Sequence, residues 1–402
     1  MFNSEVRSDS NVKIRLSPSF LISFTNAIFS IIPVNIYFYI FSCSKIHNIK
    51  LDMSKTKPLI GISTGDPNGI GIEVILKCYS DKRMYYFGIP IIFSNFNLIQ
   101  DQLNHLNIDV DLNKIDKIEK ANSKKLNVLE ITTKTFEINY GKVNKEGGDH
   151  SRVSLTEASR YLKENKIDVL VTAPINKKNI KNSDFNYMGH TDFLNKTFDG
   201  QAMMFMISDD LKVALLTEHI PVSNVVNQIS KELLSNKLSV IKKSLTVDFG
   251  ITSPKIAVLS INPHAGDDGI IGDEDQKFLI PSLKEISNNE NLLFGPFPSD
   301  SFFGSNQYKL YDAILAIYHD QGLIPFKTIS FGNGVNFTAG LDVVRTSPDH
   351  GTGYDIAGKN QADPSSFRSA IYSAIKIFKN RISFNNDNSN PLEISGSKSL
   401  KK

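Results

Sequence analysis

From residue 58 to residue 379 short apolar runs alternate with amphipathic stretches, a pattern that predicts a mostly parallel sheet with helices on its faces. Residues 58–63 form an apolar run of strand length, followed by the turn Thr64-Gly-Asp-Pro-Asn-Gly-Ile-Gly and by helical spacing over 74–78. Further strands are expected over 85–94, with a helix behind it, and over 126–131. A polar, glycine-containing loop over 141–150 precedes an amphipathic helix over 151–165, which Ser151 or Ser154 can cap. Residues 168–174 then give a buried strand ending at Pro174. Alternation continues through 202–217, 231–245, 255–261 and 273–286, and a helix over 364–379 closes the pattern. Residues 382–402, rich in Asn, Ser and Lys, are expected to form a disordered tail.

Three apolar runs, 213–216, 256–261 and 312–317, are each followed within a few residues by a histidine: His219, His264 and His319. Ligands of open α/β sheets bind beyond the carboxyl ends of strands. Three imidazoles placed there can meet on one divalent cation and leave a position open for substrate. Asp320, adjacent to His319, can orient the ligand ring. Of the eight histidines, His47 and His105 lack such settings, and His150 falls in the expected loop.

Composition narrows the chemistry. The chain of 402 residues is 41% hydrophobic and 22% charged, enough for one large or two moderate domains. A net charge of +3 without a basic stripe argues against nucleic acid as a partner. The two cysteines, Cys43 and Cys78, have no metal or redox spacing, so any metal must be held by His and carboxylate in an intracellular, cytoplasmic protein. Residues 1–52 depart from the pattern. Arg7, Lys13 and Arg15 precede an apolar stretch over 20–43, but Asn26, Pro33 and Asn35 interrupt it, and Met53 offers a second start. We therefore expect an extension outside the functional fold rather than a targeting or membrane segment.

Other residues suggest anion and nucleotide contacts. In Gly189-His-Thr-Asp, His190 and Thr191 begin a helix able to touch an anion. Lys327, Asn336 and Arg345 flank a glycine turn and can hold phosphate and carboxylate together, arginine as a fork and lysine as a point charge. Gly65, Gly69 and Gly71, around Asp66, match neither the dinucleotide fingerprint nor a Walker loop, yet they allow a nucleotide close to the backbone.

Five segments in order, Thr64-Gly-Asp-Pro-Asn-Gly-Ile-Gly, Gly189-His-Thr, Asn262-Pro-His-Ala-Gly, Tyr318-His-Asp-Gln-Gly-Leu and Arg345-Thr-Ser-Pro-Asp-His-Gly-Thr-Gly, resemble the PdxA family, the 4-hydroxythreonine-4-phosphate dehydrogenases of vitamin B6 biosynthesis. The likeness runs over about 58–378. It implies an α/β fold of the isocitrate/isopropylmalate dehydrogenase type, with two domains around a cleft: 53–185 with 340–381, and 186–339 carrying the metal histidines. It implies a divalent metal, zinc foremost with cobalt, nickel, magnesium or manganese as alternatives, on His219, His264 and His319. It also implies substrate on His190, Thr191, Lys327, Asn336 and Arg345, and a homodimer with a shared site. The loop that includes His350, Gly351, Thr352 and Asp355 is similar to one that holds the adenosine half of NAD, which would account for the missing fingerprint.

The implied reaction oxidises the C3 hydroxyl of 4-phosphooxy-L-threonine with NAD, and the β-keto acid formed loses carbon dioxide to give 3-amino-2-oxopropyl phosphate. Asp320 and Asp300 are the candidate bases. Two alternatives stand beside it: a sister dehydrogenase acting on a phosphothreonate, and a three-histidine metallohydrolase.

Overall fold

In the computed structural model, which describes residues 57–182, 185–287 and 292–389, the apolar runs become twelve strands of one sheet. They are β1 (Leu59–Ser63), β2 (Ile89–Ser94), β3 (Leu112–Ile115), β4 (Leu126–Glu130), β5 (Val169–Thr172), β6 (Gly200–Ile207), β7 (Lys212–Leu215), β8 (Lys255–Leu259), β9 (Leu292–Phe297), β10 (Ala313–Ala316), β11 (Val335–Leu341) and β12 (Arg345–Pro348). Their order is β3-β4-β2-β1-β5-β12-β11-β6-β7-β10-β8-β9.

The sheet is mostly parallel, as expected, but its direction reverses along its width. β3, β4, β2, β1, β5 and β12 run one way. Antiparallel pairings of β12 with β11, β11 with β6 and β6 with β7 follow, and β7, β10, β8 and β9 are again parallel to each other. The central strands β5, β10 and β12 are buried along their whole length, because helices cover both faces. Those helices include Gly71–Tyr79, Phe96–Leu106, Lys145–Lys163, Lys231–Val247, His319–Ile329 and Ser365–Asn388. One continuous sheet thus spans both of the segments expected as domains.

Three local expectations are corrected. The strand expected from residue 85 begins at Ile89, because Lys82–Tyr86 form a tight helical turn capped by the Asp81 side chain. The loop expected over 141–150 is helical from Lys145, with Asn144 rather than a serine as the cap, accepting from Gly147 N. Gly147 and Gly148 disfavour a helix locally, but a side chain at Gly148 would stand 2.0 Å from Asn179 O, so close packing overrides propensity. Ser154 instead lies inside the helix, where its hydroxyl donates to Phe93 O and accepts from Thr64 N, tying β2 to the end of β1. The last helix runs to Asn388, so residues 382–388 are not a disordered tail; buried Ala370, Ile371, Ala374 and Ile377 anchor its earlier turns. The expectations for 1–52 and for the tail from 390 lie outside the described residues. No described helix is long and apolar enough to cross a membrane.

Candidate active site

Arg345, the first residue of β12, is the largest fully buried side chain among the described residues, with 1% of its surface exposed. Its Nε and Nη2 donate to Thr172 Oγ1 and its Nη1 to Thr338 Oγ1, at 2.5 to 3.1 Å. These hydrogen bonds end on neutral hydroxyls. Burial pushes the guanidinium down to about 9. A charge removed from water normally requires an opposite charge, and this geometry is chemically suited to an anion.

Two neighbouring features support it. The Asn336 side chain, on β11 opposite Ser347 of β12, has a buried Oδ1 with no partner. His190 begins the helix His190–Thr197, and its Nε2 is likewise buried and unpartnered. Burial, then the charges of Arg345 and Lys177, hold His190 well below its ordinary range and so neutral. Thr191 is half-buried in the same first turn. Lys327 lies 3.3 Å from the Asp349 carboxylate, at the start of the loop that carries His350.

β7, β10 and β8 are adjacent and parallel, so His219, His319 and His264 follow strands that end at one edge. His219 and His319 come together, with ring centroids 5.7 Å apart. They line a cavity of about 360 Å³ with Thr217, Glu218, Tyr318 and Asp320. His319 Nδ1 is 2.6 Å from Asp320 Oδ1, which turns Nε2 into the free ligating atom. His219 is held below its ordinary value by burial, then by Lys177, with Glu218 opposing.

His264 is exposed and sits in a turn whose residues 264–268 all have left-handed backbone. Asp275 pins the entry to that turn by accepting from Ile261 N and Asn262 N. Among the described residues no group of three or more His, Cys, Asp or Glu is arranged to hold a metal. The single chain therefore unites two of the three expected imidazoles. Asp300 is exposed in the short helix Ser299–Gly304, and Gln321 links Ser299 of that helix to Ser260 after β8.

The glycine-rich turn and the loop over 349–358 pack on each other. At Gly69 a side chain would lie 2.5 Å from Thr352 O, and Ile70 N donates to that same oxygen. Asp66 is fully buried: Oδ1 accepts from Asn68 N, and Oδ2 from Asn179 Nδ2 and Tyr354 OH. Its carboxylate is thus engaged in joining three loops. Gly65 and Gly71 lie in the same turn, and each backs directly onto backbone, Gly65 onto Pro174 and Gly71 onto Thr64. Gly351 and Asp355 are exposed, and His350 Nε2 is buried without a partner. Sequence reasoning missed Thr172 and Thr338; the position of Thr172 at the carboxyl end of a buried parallel strand was the available signal.

The mostly parallel α/β fold matches solved dehydrogenase structures. One 4-hydroxythreonine-4-phosphate dehydrogenase, from Klebsiella pneumoniae, superposes with a TM-score of 0.72 at 29% identity, covering 81% of this chain and 99% of that one. Residues 87–374 match the family model described as pyridoxal phosphate biosynthetic protein PdxA, and the chain belongs to that family. A 4-hydroxythreonine-4-phosphate dehydrogenase from Bacteroides thetaiotaomicron is 43% identical over 82% of this chain and 91% of its own length. A relative from Oceanobacillus iheyensis, provisionally named D-threonate 4-phosphate dehydrogenase, is 33% identical over 81% of this chain and 99% of its own.

Proposed function

We propose that this protein oxidises 4-phosphooxy-L-threonine at its C3 hydroxyl with NAD as hydride acceptor, yielding 2-amino-3-oxo-4-phosphooxybutanoate. That product loses carbon dioxide to give 3-amino-2-oxopropyl phosphate for pyridoxal phosphate synthesis in the cytoplasm. The observation that carries this reading is the fully buried Arg345 without a carboxylate partner, beside the orphaned polar atoms of Asn336 and His190.

Arg345 receives an anionic group through its fork, and its burial strengthens that contact. Asn336, neutral His190 and Thr191 complete the cradle, with Lys327 at its rim; together they hold C3 toward the nicotinamide. The loop over 349–358 and the glycine-rich turn are the surfaces for NAD, with His350, Gly351, Thr352 and Asp355 as contacts.

The donor set fits a divalent metal: His219 is neutral, and His319 is oriented by Asp320. His219 and His319 would hold it together with a third imidazole, His264, contributed across a homodimer. A bound divalent ion, zinc foremost, supplies Lewis acidity toward the substrate hydroxyl. Asp320 and Asp300 stand at the same edge as the candidate proton acceptors.

Measurement of NADH formation with 4-phosphooxy-L-threonine, with and without chelator, tests the proposal. No substrate-dependent NADH would refute it. D-threonate 4-phosphate is the competing substrate, favoured by the Oceanobacillus relative and disfavoured by the higher identity to the Bacteroides enzyme. A clear preference for it would move the assignment to the sister reaction. Phosphate release without NAD would identify a hydrolase instead.

A further inference from the structure

The cavity at the paired imidazoles has two carboxylates in its wall, Glu218 and Asp320. Asp320 is committed to His319 Nδ1, 2.6 Å away. Glu218 has a different partner. Its Oε1 accepts from Lys237 Nζ at 2.8 Å, a half-buried pair that leaves Oε2 for a second cation. Lys237 belongs to the helix Lys231–Val247, whose buried Leu234, Leu238 and Ile241 hold it to the sheet. The backbone before Glu218 is tied just as firmly. Leu216 N donates to Ala316 O at 2.8 Å, and Thr217 donates to Ile317 O through N at 3.1 Å and through Oγ1 at 2.7 Å. The extension of β7 thus stays in step with that of β10, so His219 reaches His319 and Glu218, one residue earlier, shares their cavity.

4-Phosphooxy-L-threonine carries an ammonium on C2, the carbon bonded to C3. In the function proposed above, the C3 hydroxyl turns to the cation that His219 and His319 would hold, so the ammonium follows it to within a few bond lengths of that charge. Two positive charges that close repel strongly where water is sparse, and a carboxylate beside them offsets the repulsion. The cradle around Arg345 receives phosphate and carboxylate, and nothing in it is assigned to the ammonium. Of the two carboxylates in the cavity wall, Asp320 is taken by the ligand imidazole and Glu218 has a free oxygen.

We propose that Glu218 is a specificity-determining residue that receives the substrate ammonium through Oε2, with Lys237 holding the carboxylate in position. The assignment rests on the function proposed above and deepens it. A carboxylate there selects an amino acid over the corresponding hydroxy acid, which is the distinction between 4-phosphooxy-L-threonine and D-threonate 4-phosphate.

The test is calorimetric binding of two ligands, in the presence of zinc, to the full chain and to its E218Q variant: 4-phosphooxy-L-threonine, and 3-hydroxy-4-phosphooxybutanoate, the same molecule without its amino group. Glutamine keeps an acceptor for Lys237 and removes the charge. The wild type should bind the amino ligand more tightly. E218Q should weaken that ligand about 10- to 100-fold, the range for a charge-assisted contact, and leave the second nearly unchanged. Both ligands share the phosphate, the carboxylate and the hydroxyl, so damage to the fold or to the metal ligands shows in both. Equal weakening of both, no weakening of the first, or a wild type that prefers the ligand without nitrogen would overturn the assignment. Wild-type binding of both ligands without NADH formation from the first would refute the proposed function, while the affinity ratio still judged Glu218. Binding of neither would overturn both.

Discussion

Replacing Arg345 with methionine is expected to leave the stability of the unliganded protein nearly unchanged while removing its affinity for phosphorylated substrate. Burial lowers the guanidinium by several units, to about 9. That difference corresponds to about 4–5 kcal/mol of lost solvation for the charged form. Below about pH 9 the group stays charged, so the native state carries this penalty throughout the neutral range and sheds it only above that pH. Three hydrogen bonds from the charged guanidinium to Thr172 and Thr338 oppose it, at about 1.5 kcal/mol or more each. The two contributions nearly cancel, so substitution should move the melting temperature by no more than a few degrees. Two charge-assisted contacts to phosphate vanish at the same time, which lowers substrate affinity by about 100-fold or more. Differential scanning calorimetry of both proteins, with and without inorganic phosphate, measures the two effects together. A melting temperature that falls by several degrees in the unliganded variant would show that Arg345 is there to hold the fold, and the reasoning would fail.

Buried His150, next to Ser94, is held down to about 4 by burial, against 6.5 when solvated. The unfolded chain therefore binds the extra proton first. Stability from this group is full above about pH 6.5 and is lost as pH falls through about 4, by about 3 kcal/mol in all; His150→Gln should flatten that slope in urea titrations. Gly69→Ala places a methyl 2.5 Å from Thr352 O and should cost about 1–3 kcal/mol in denaturant midpoint, parting the two loops. Asp320→Asn should weaken metal binding about 10- to 100-fold with an unchanged circular dichroism spectrum, and His319→Ala should weaken it further; metal titration with a competing chelator checks both.

Much of the site was legible before any coordinates. The histidines at 219 and 319 could be placed at strand ends because a strand buried on both faces reads as an unbroken apolar run, as 313–317 does. The helix from Lys145 could not be read that way. Its first residues are Lys, Glu, Gly, Gly and Asp, and they are helical because Gly148 must press against Asn179 O, a contact 31 positions away.

Local pattern alone determined the class of fold, the strands that end in histidines and the residue types available for anion and metal contacts, because periodicity and turn chemistry act over a few residues. Only the tertiary structure decided that the sheet reverses direction between β12 and β7, that Asp66 is engaged in joining loops, and that Arg345 is buried against Thr172 and Thr338. Burial and partnership depend on what distant segments bring to a side chain, and those alone fix whether a charge is solvated, paired or left waiting for a ligand.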